Sequence, residues 1–129
     1  MKKKIKRGDI IFVRNPFQTP HGHLNAGNRP AVVVQNNMGN SFSSNLIVAY
    51  MTSKIKKLNM PTHVVLQWYE GLSMTSMVQT EQLATISSDD VINVIDHLRT
   101  EDMARVNQAL AASLALDDLY CENGGNDHE

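Results

Sequence analysis

The stretch Gly27-Asn28-Arg29-Pro30 runs straight into the apolar segment Ala31-Val32-Val33-Val34-Gln35. Proline suits the first residue of a strand and forces its predecessor into an extended backbone, so Arg29 sits at the end of a loop with little freedom of its own. A guanidinium held that way can grip a phosphate through two parallel N–H bonds, or it can pair with a local carboxylate or carbonyl. Thr52 and Ser53 form a second candidate, two hydroxyls that close the run 46–51 and precede Lys54, Lys56 and Lys57. Hydroxyls beside ammonium groups can bind a phosphate; at strand ends they also cap turns. The histidines fit known chemistry less well. His21-Gly22-His23 puts two imidazoles in one loop without a carboxylate, a cysteine or a third histidine at zinc spacing, so no metal is expected there. His63 opens an apolar run and reads as structural, while His97 precedes Leu98 in a helical pattern and His128 lies in the tail. Cys121, the only cysteine, supports neither a disulfide nor a redox pair. With no Gly-x-Ser-x-Gly, no Ser/His/Asp order and no phosphate-cradling glycine loop, acyl transfer and nucleoside triphosphate use lack support, and no cofactor is expected.

Positioning these groups falls to the segments around them. Residues 9–13, 31–35, 46–51 and 63–66 are short apolar or β-branched runs bounded by Gly, Pro and Asn, and 77–79 and 83–86 make two shorter ones. Five or six strands in succession predict a small, strongly curved sheet or barrel. Residues 15–28, with Pro16, Pro20, Gly22 and Gly27, predict a long loop, and 36–40 a tight connection. After Ile86 the pattern changes: Ser87-Ser88-Asp89-Asp90 offers caps, and Val91, Val94, Ile95 and Leu98 fall at i, i+3, i+4, i+7, which predicts an amphipathic helix. Thr100 is expected to cap a second one, with Glu101 and Asp102 in its first turn and Met103, Val106, Leu110 and Leu114 as its apolar stripe. The expected class is α+β, strands first and helices last. Residues 1–116 read as one domain, and 117–129 as an acidic, disordered tail.

The 129 residues, 42% apolar and 19% charged, suffice for one core. An aromatic content of 5% argues against an extended platform of stacked bases, though not against RNA held by its backbone. No apolar run approaches the ~20 residues of a membrane helix, and the basic start lacks the apolar stretch of a secretory signal, so a cytoplasmic location without a membrane partner is expected. The net charge of −1 conceals a division. Residues 1–66 hold ten Lys and Arg against Asp9 alone, a balance of +9, and residues 67–129 hold two against twelve acids, a balance of −10. A basic half suggests a polyanion or an acidic partner peptide, unless it merely faces an acidic surface of the same monomer.

Taken in order, Lys6-Arg7-Gly8-Asp9-Ile10, Asn28 to Asn36, Gly39-Asn40, Ile47 to Thr52, Pro61-Thr62-His63-Val64, Gly71-Leu72, Ser76-Met77-Val78, Glu81 to Ile86 and the tail Val106 to Leu110 with Ser113 to Leu116 resemble successive blocks of the MazF/PemK family of toxin endoribonucleases. The resemblance spans about residues 5–116. It implies an SH3-like antiparallel β-barrel with C-terminal helices, a homodimer, metal-independent cleavage of single-stranded RNA at short motifs, and a cognate acidic antitoxin. By the same pattern Arg29 and Thr52 match the catalytic arginine and threonine. The expected RNA-binding set is Ser53, Lys54, Lys56 and Lys57, with Gln18, Thr19, His21 and His23 of the loop and Asn36. The sequence departs from the family where a Gly-Ser-Glu-Gln-Gly-Gly type segment often precedes the Arg-Pro: the loop here is longer and lacks a carboxylate, so no cleavage motif carries over.

Two functions of different class compete. An endoribonuclease can use the substrate's own 2′-OH as nucleophile, so that the protein need only position and neutralise the phosphate, leaving a 2′,3′-cyclic phosphate and a 5′-OH. Arg29 would then stabilise transition-state charge and Thr52 fix the in-line geometry, with His21 or His23 as candidate bases. A non-catalytic toxin of the same fold could instead bind and poison DNA gyrase, as the CcdB family does, and fold alone does not separate the two. The Arg29–Thr52 pair favours the nuclease.

Overall fold

The computed structural model describes residues 4–14 and 28–116. Six strands, β1 (Asp9–Arg14), β2 (Asn28–Val33), β3 (Asn45–Thr52), β4 (His63–Leu66), β5 (Ser76–Ser87) and β6 (Val91–His97), form one antiparallel sheet in the order β4-β5-β3-β2-β1-β6. A short helix α1 (Asn37–Phe42) joins β2 to β3, and α2 (Thr100–Ser113) follows β6 and packs on β4 and β5. The result is a curled half-barrel with one C-terminal helix, in the α+β class.

The central strands are buried on both faces, which is why they read as unbroken apolar runs. Ile10, Val32, Ala49, Met51, Val64 and Val78 meet Val106, Ala109 and Leu110 of α2 on one face. Ile11, Val13, Ala31, Val33, Val48 and Val91 form the core on the other. The two short strands expected at 77–79 and 83–86 are the halves of β5. Its partner register jumps from Ala49↔Leu83 to Met51↔Val78, so the residues between bulge out of the ladder and bend the strand, and with it the sheet. Thr80 lies in that bulge, fully buried, with its hydroxyl bonded to Thr62 O at 2.7 Å.

The helix expected over residues 91–98 is a strand, and α2 is the single helix at the C-terminal end of the described residues. Ser88–Asp90 form one 3-10 turn, capped by the Ser87 hydroxyl accepting from Asp89 N at 3.1 Å. β6 then pairs with β1 through two register shifts, Ile10↔Asp96 to Ile11↔Val94 and Phe12↔Asn93 to Val13↔Val91. Each shift adds a residue to β6; Val91 packs in one core, Ile95 and Leu98 pack in the other, and Val94 is exposed, so the helical spacing of these residues marks no single buried face. His97 accordingly ends a strand, where its Nδ1 meets Asp9 Oδ1 at 2.6 Å. Two smaller corrections concern helix starts. Arg99, without a side-chain cap bond, holds the place expected for Thr100, because the Arg99 side chain and backbone N–H are engaged with residues 67–69. The tight connection at 36–40 is the start of α1, where Asn36 Oδ1 accepts from Gly39 N at 2.8 Å.

Candidate active site

Arg29 lies within β2, opposite Val13 of β1, and Pro30 lies opposite Phe12. The β2–β3 ladder runs from Val33↔Val48 to Ala31↔Tyr50 and stops at Pro30, which has no N–H to give. Carried two residues further, the same register faces Arg29 with Thr52, and opposite residues in an antiparallel pair share a face. The extended register therefore puts both candidates on one face, just beyond the last paired residues of the ladder. The Arg29 guanidinium carbon sits 4.6 Å from the centre of the Tyr50 ring, and Nη2 donates to Met51 O at a long 3.4 Å. Stacking and one stretched bond orient the guanidinium without saturating its five donors. Thr52 Oγ1 accepts from Lys54 N at 3.0 Å, the turn-capping bond expected of a strand-end hydroxyl, and its own proton stays available to donate.

Other members of the expected set part company. Ser53 turns into a cleft of 250 Å³ with Phe12, Pro30, Leu72 and Ile95. Lys54, Lys56 and Lys57 are exposed on the segment between β3 and β4, and Lys57 adopts φ 54, in the left-handed region. Asn36 stands beyond the other end of β2 from Arg29, about 20 Å away along an extended strand, and its amide oxygen caps α1. Gln18, Thr19, His21 and His23 lie outside the described residues. Among the described residues no cluster of three metal-ligating side chains occurs, and no helix is long and apolar enough to cross a membrane.

The charge division persists in three dimensions. Among the described residues the ion pairs are His63–Glu81, His97–Asp9, Arg99 with Glu101 and Asp102, and Arg105–Asp102, so no Lys or Arg before residue 67 is paired with an acid. Of the described acids of the second half, Glu101 and Asp102 pair with its arginines, Asp96 takes the backbone N–H of Gly71 and His97, and Glu81 faces His63. Asp102 is buried and takes Arg105 Nη1 at 2.8 Å, Arg99 Nη2 at 3.3 Å and the Tyr69 hydroxyl at 2.6 Å. Burial first, and then the bond to Asp102, push the Tyr69 phenol up to about 12. Burial alone would raise Glu81, but the His63 ring and the Glu81 backbone N–H hold its carboxyl below the usual range. The Thr62 hydroxyl adds only a weak pull, since it is buried without a hydrogen-bond partner of good geometry.

Sequence reasoning misses one contact of the site: Tyr50, on whose ring the Arg29 guanidinium stacks, reads only as part of a strand, although an aromatic two residues before Thr52 was the available signal. His63 has the structural part expected of it, bridging Lys57 O and Glu81.

Residues 6–114 match the family described as PemK-like, MazF-like toxin of type II toxin–antitoxin system. The chain is 39% identical over 116 residues to the endoribonuclease EndoA of Bacillus subtilis, covering 89% of this chain and 98% of that protein. It is 33% identical over 114 residues to the endoribonuclease MazF of Staphylococcus saprophyticus, covering 87% and 92%. Its fold is similar to an endoribonuclease from a mycobacterial species solved in complex with its cognate antitoxin, with a TM-score of 0.72 at 21% identity, over 87% of this chain and 96% of that one.

Proposed function

Since the chain belongs to the PemK-like, MazF-like toxin family of type II toxin–antitoxin systems, we propose that this endoribonuclease cuts single-stranded RNA by attack of the substrate's own 2′-OH, without a metal. What supports the reading is that the β2–β3 register, carried past Ala31↔Tyr50, sets Arg29 and Thr52 on one face, with no described carboxylate paired to the guanidinium. A scissile phosphate bridging them receives N–H donors from one strand and a hydroxyl from the other. Arg29 neutralises the charge that grows on the phosphate oxygens as the fifth bond forms, and Thr52 fixes the oxygen that must stay out of line with attack. A guanidinium is a poor general base, so the base that takes the 2′-OH proton is proposed to be another group, with His21 and His23 the candidates. Lys54, Lys56 and Lys57, unpaired with acids, hold flanking phosphates. Ser53, Gln18, Thr19 and Asn36 complete the proposed RNA-facing set.

The physiological inhibitor is proposed to be an antitoxin with an acidic, disordered segment that competes for the same basic surface. The reading includes a cytoplasmic, two-fold homodimer. A gyrase-poisoning role gives Arg29 and Thr52 nothing to do. Incubation with a long single-stranded RNA in EDTA, followed by end-group analysis, tests the chemistry. Cleavage to 2′,3′-cyclic phosphate and 5′-OH ends is expected, and 5′-phosphate ends or dependence on an added divalent cation would sink it.

A further inference from the structure

The segment between β3 and β4 has no regular structure, yet it carries Lys54, Lys56 and Lys57. Something outside its own ladder must fix it. At its centre Lys57 is bent to φ 54, and the Lys57 carbonyl takes two bonds: from Met60 N at 3.2 Å and from the His63 ring, whose Nδ1 lies 3.2 Å away. The His63 ring is 5% exposed and turns its other nitrogen, Nε2, to Glu81 Oε2 at 2.9 Å. A carbonyl and a carboxylate only accept hydrogen bonds, so the ring satisfies both partners only with a proton on each nitrogen. A neutral ring leaves one lone pair facing an oxygen. Arg105 of α2 lines the same cleft as His63, but its guanidinium is committed to Asp102 at 2.8 Å and to Val65 O at 3.2 Å. Glu81, standing in the bulge of β5, is therefore the counter-charge that faces the ring.

We infer that His63 is a positioning residue: doubly protonated, it latches the lysine-bearing segment to the bulge of β5, and loss of one proton releases that segment. The inference rests on the reading of these lysines as phosphate-binding. Glu81→Gln supplies an amide that donates to a neutral Nε2, which keeps the segment anchored whether or not the ring is charged.

The test follows the nitrogen spectrum of the His63 ring, the hydrogen-exchange protection of Met60 N–H and the affinity for a mixed-sequence 2′-O-methyl oligoribonucleotide, which lacks the attacking hydroxyl. All are measured on the full chain from about pH 5.5 to about 8.5. Protection at Met60 and affinity should fall together as the ring loses its proton, affinity by about fivefold as the competent fraction of the segment drops. The Glu81→Gln variant should show a flat profile of Met60 protection and lose the share of the affinity change that His63 controls, and His63→Leu should leave Met60 N–H as unprotected at every pH as it is in the wild type at high pH. Protection at Met60 that ignores ring protonation, or a Glu81→Gln profile matching wild type, overturns the latch. Protection that follows the ring while affinity stays constant upholds the latch and instead refutes the phosphate reading of the lysines.

Discussion

At the scale of single residues, the proposed site asks two side chains on neighbouring strands to do different things, and substitutions separate them. Arg29→Ala and Thr52→Ala should each lower cleavage by about 10²-fold or more with circular dichroism unchanged, the cost of removing one transition-state donor. Near-wild-type rates in both would remove the site. Arg29→Lys should remain poor, because an ammonium neither stacks on Tyr50 as a plane nor offers two parallel donors. Thr52→Ser should retain most activity, since the oxygen that accepts from Lys54 N and the proton it can donate are both kept.

At the scale of elements, β4 and the connection that follows it are tied to α2 and β6 by buried contacts that respond to small changes. Gly71 donates its N–H to Asp96 Oδ2 at 2.9 Å, and a Cβ built there would lie 2.0 Å from the Ile95 carbonyl oxygen. Gly71→Ala must therefore push β6 away, and a loss of about 3 kcal/mol is expected in denaturant titration. The Tyr69 phenol, raised to about 12, binds α2 through Asp102 in its neutral form. Its contribution is complete below the ordinary tyrosine range near 10 and disappears as pH rises through about 12. Thermal unfolding should show a loss of stability over that interval that Tyr69→Phe lacks. These elements also mark how far the sequence could be read. The runs around Ile10, Val32 and Val48 were legible because strands buried on both faces need no alternation to be apolar. The strand at Val91–His97 was not, because Val91 and Ile95, which serve opposite cores, fall with exposed Val94 at helical spacing, and Ser87 caps a single turn as it would cap a helix. β-branched Val91, Ile92, Val94 and Ile95 were the signal for a strand, outweighed by the spacing. Arg29 and Thr52 were legible from Pro30 and the end of an apolar run, whereas the Tyr50 stack and the His63 contact depend on registers that no local pattern encodes.

For the whole molecule, the unequal halves matter more than the net charge. Replacing Lys54, Lys56 and Lys57 together by Ala should weaken RNA binding and reduce the salt slope by roughly one unit per lost phosphate contact; an unchanged slope would put the RNA elsewhere. β6 is an edge strand with Ile92 and Val94 about two-fifths exposed, a surface suited to a second copy, so light scattering should find a dimer at micromolar concentration. A stable monomer would count against that assembly. The same edge strand has a temporal consequence. β1, which braces Arg29 through Val13, completes its own pairing only with β6, and Asp9 and His97 are 88 residues apart. A ribosome adding about 5–20 residues per second needs several seconds to cover that interval, and closure of so distant a pair is itself slow. The nascent chain thus carries Arg29 and Thr52 well before the sheet that braces Arg29 can close, so the proposed site is assembled late, after β6 has been made.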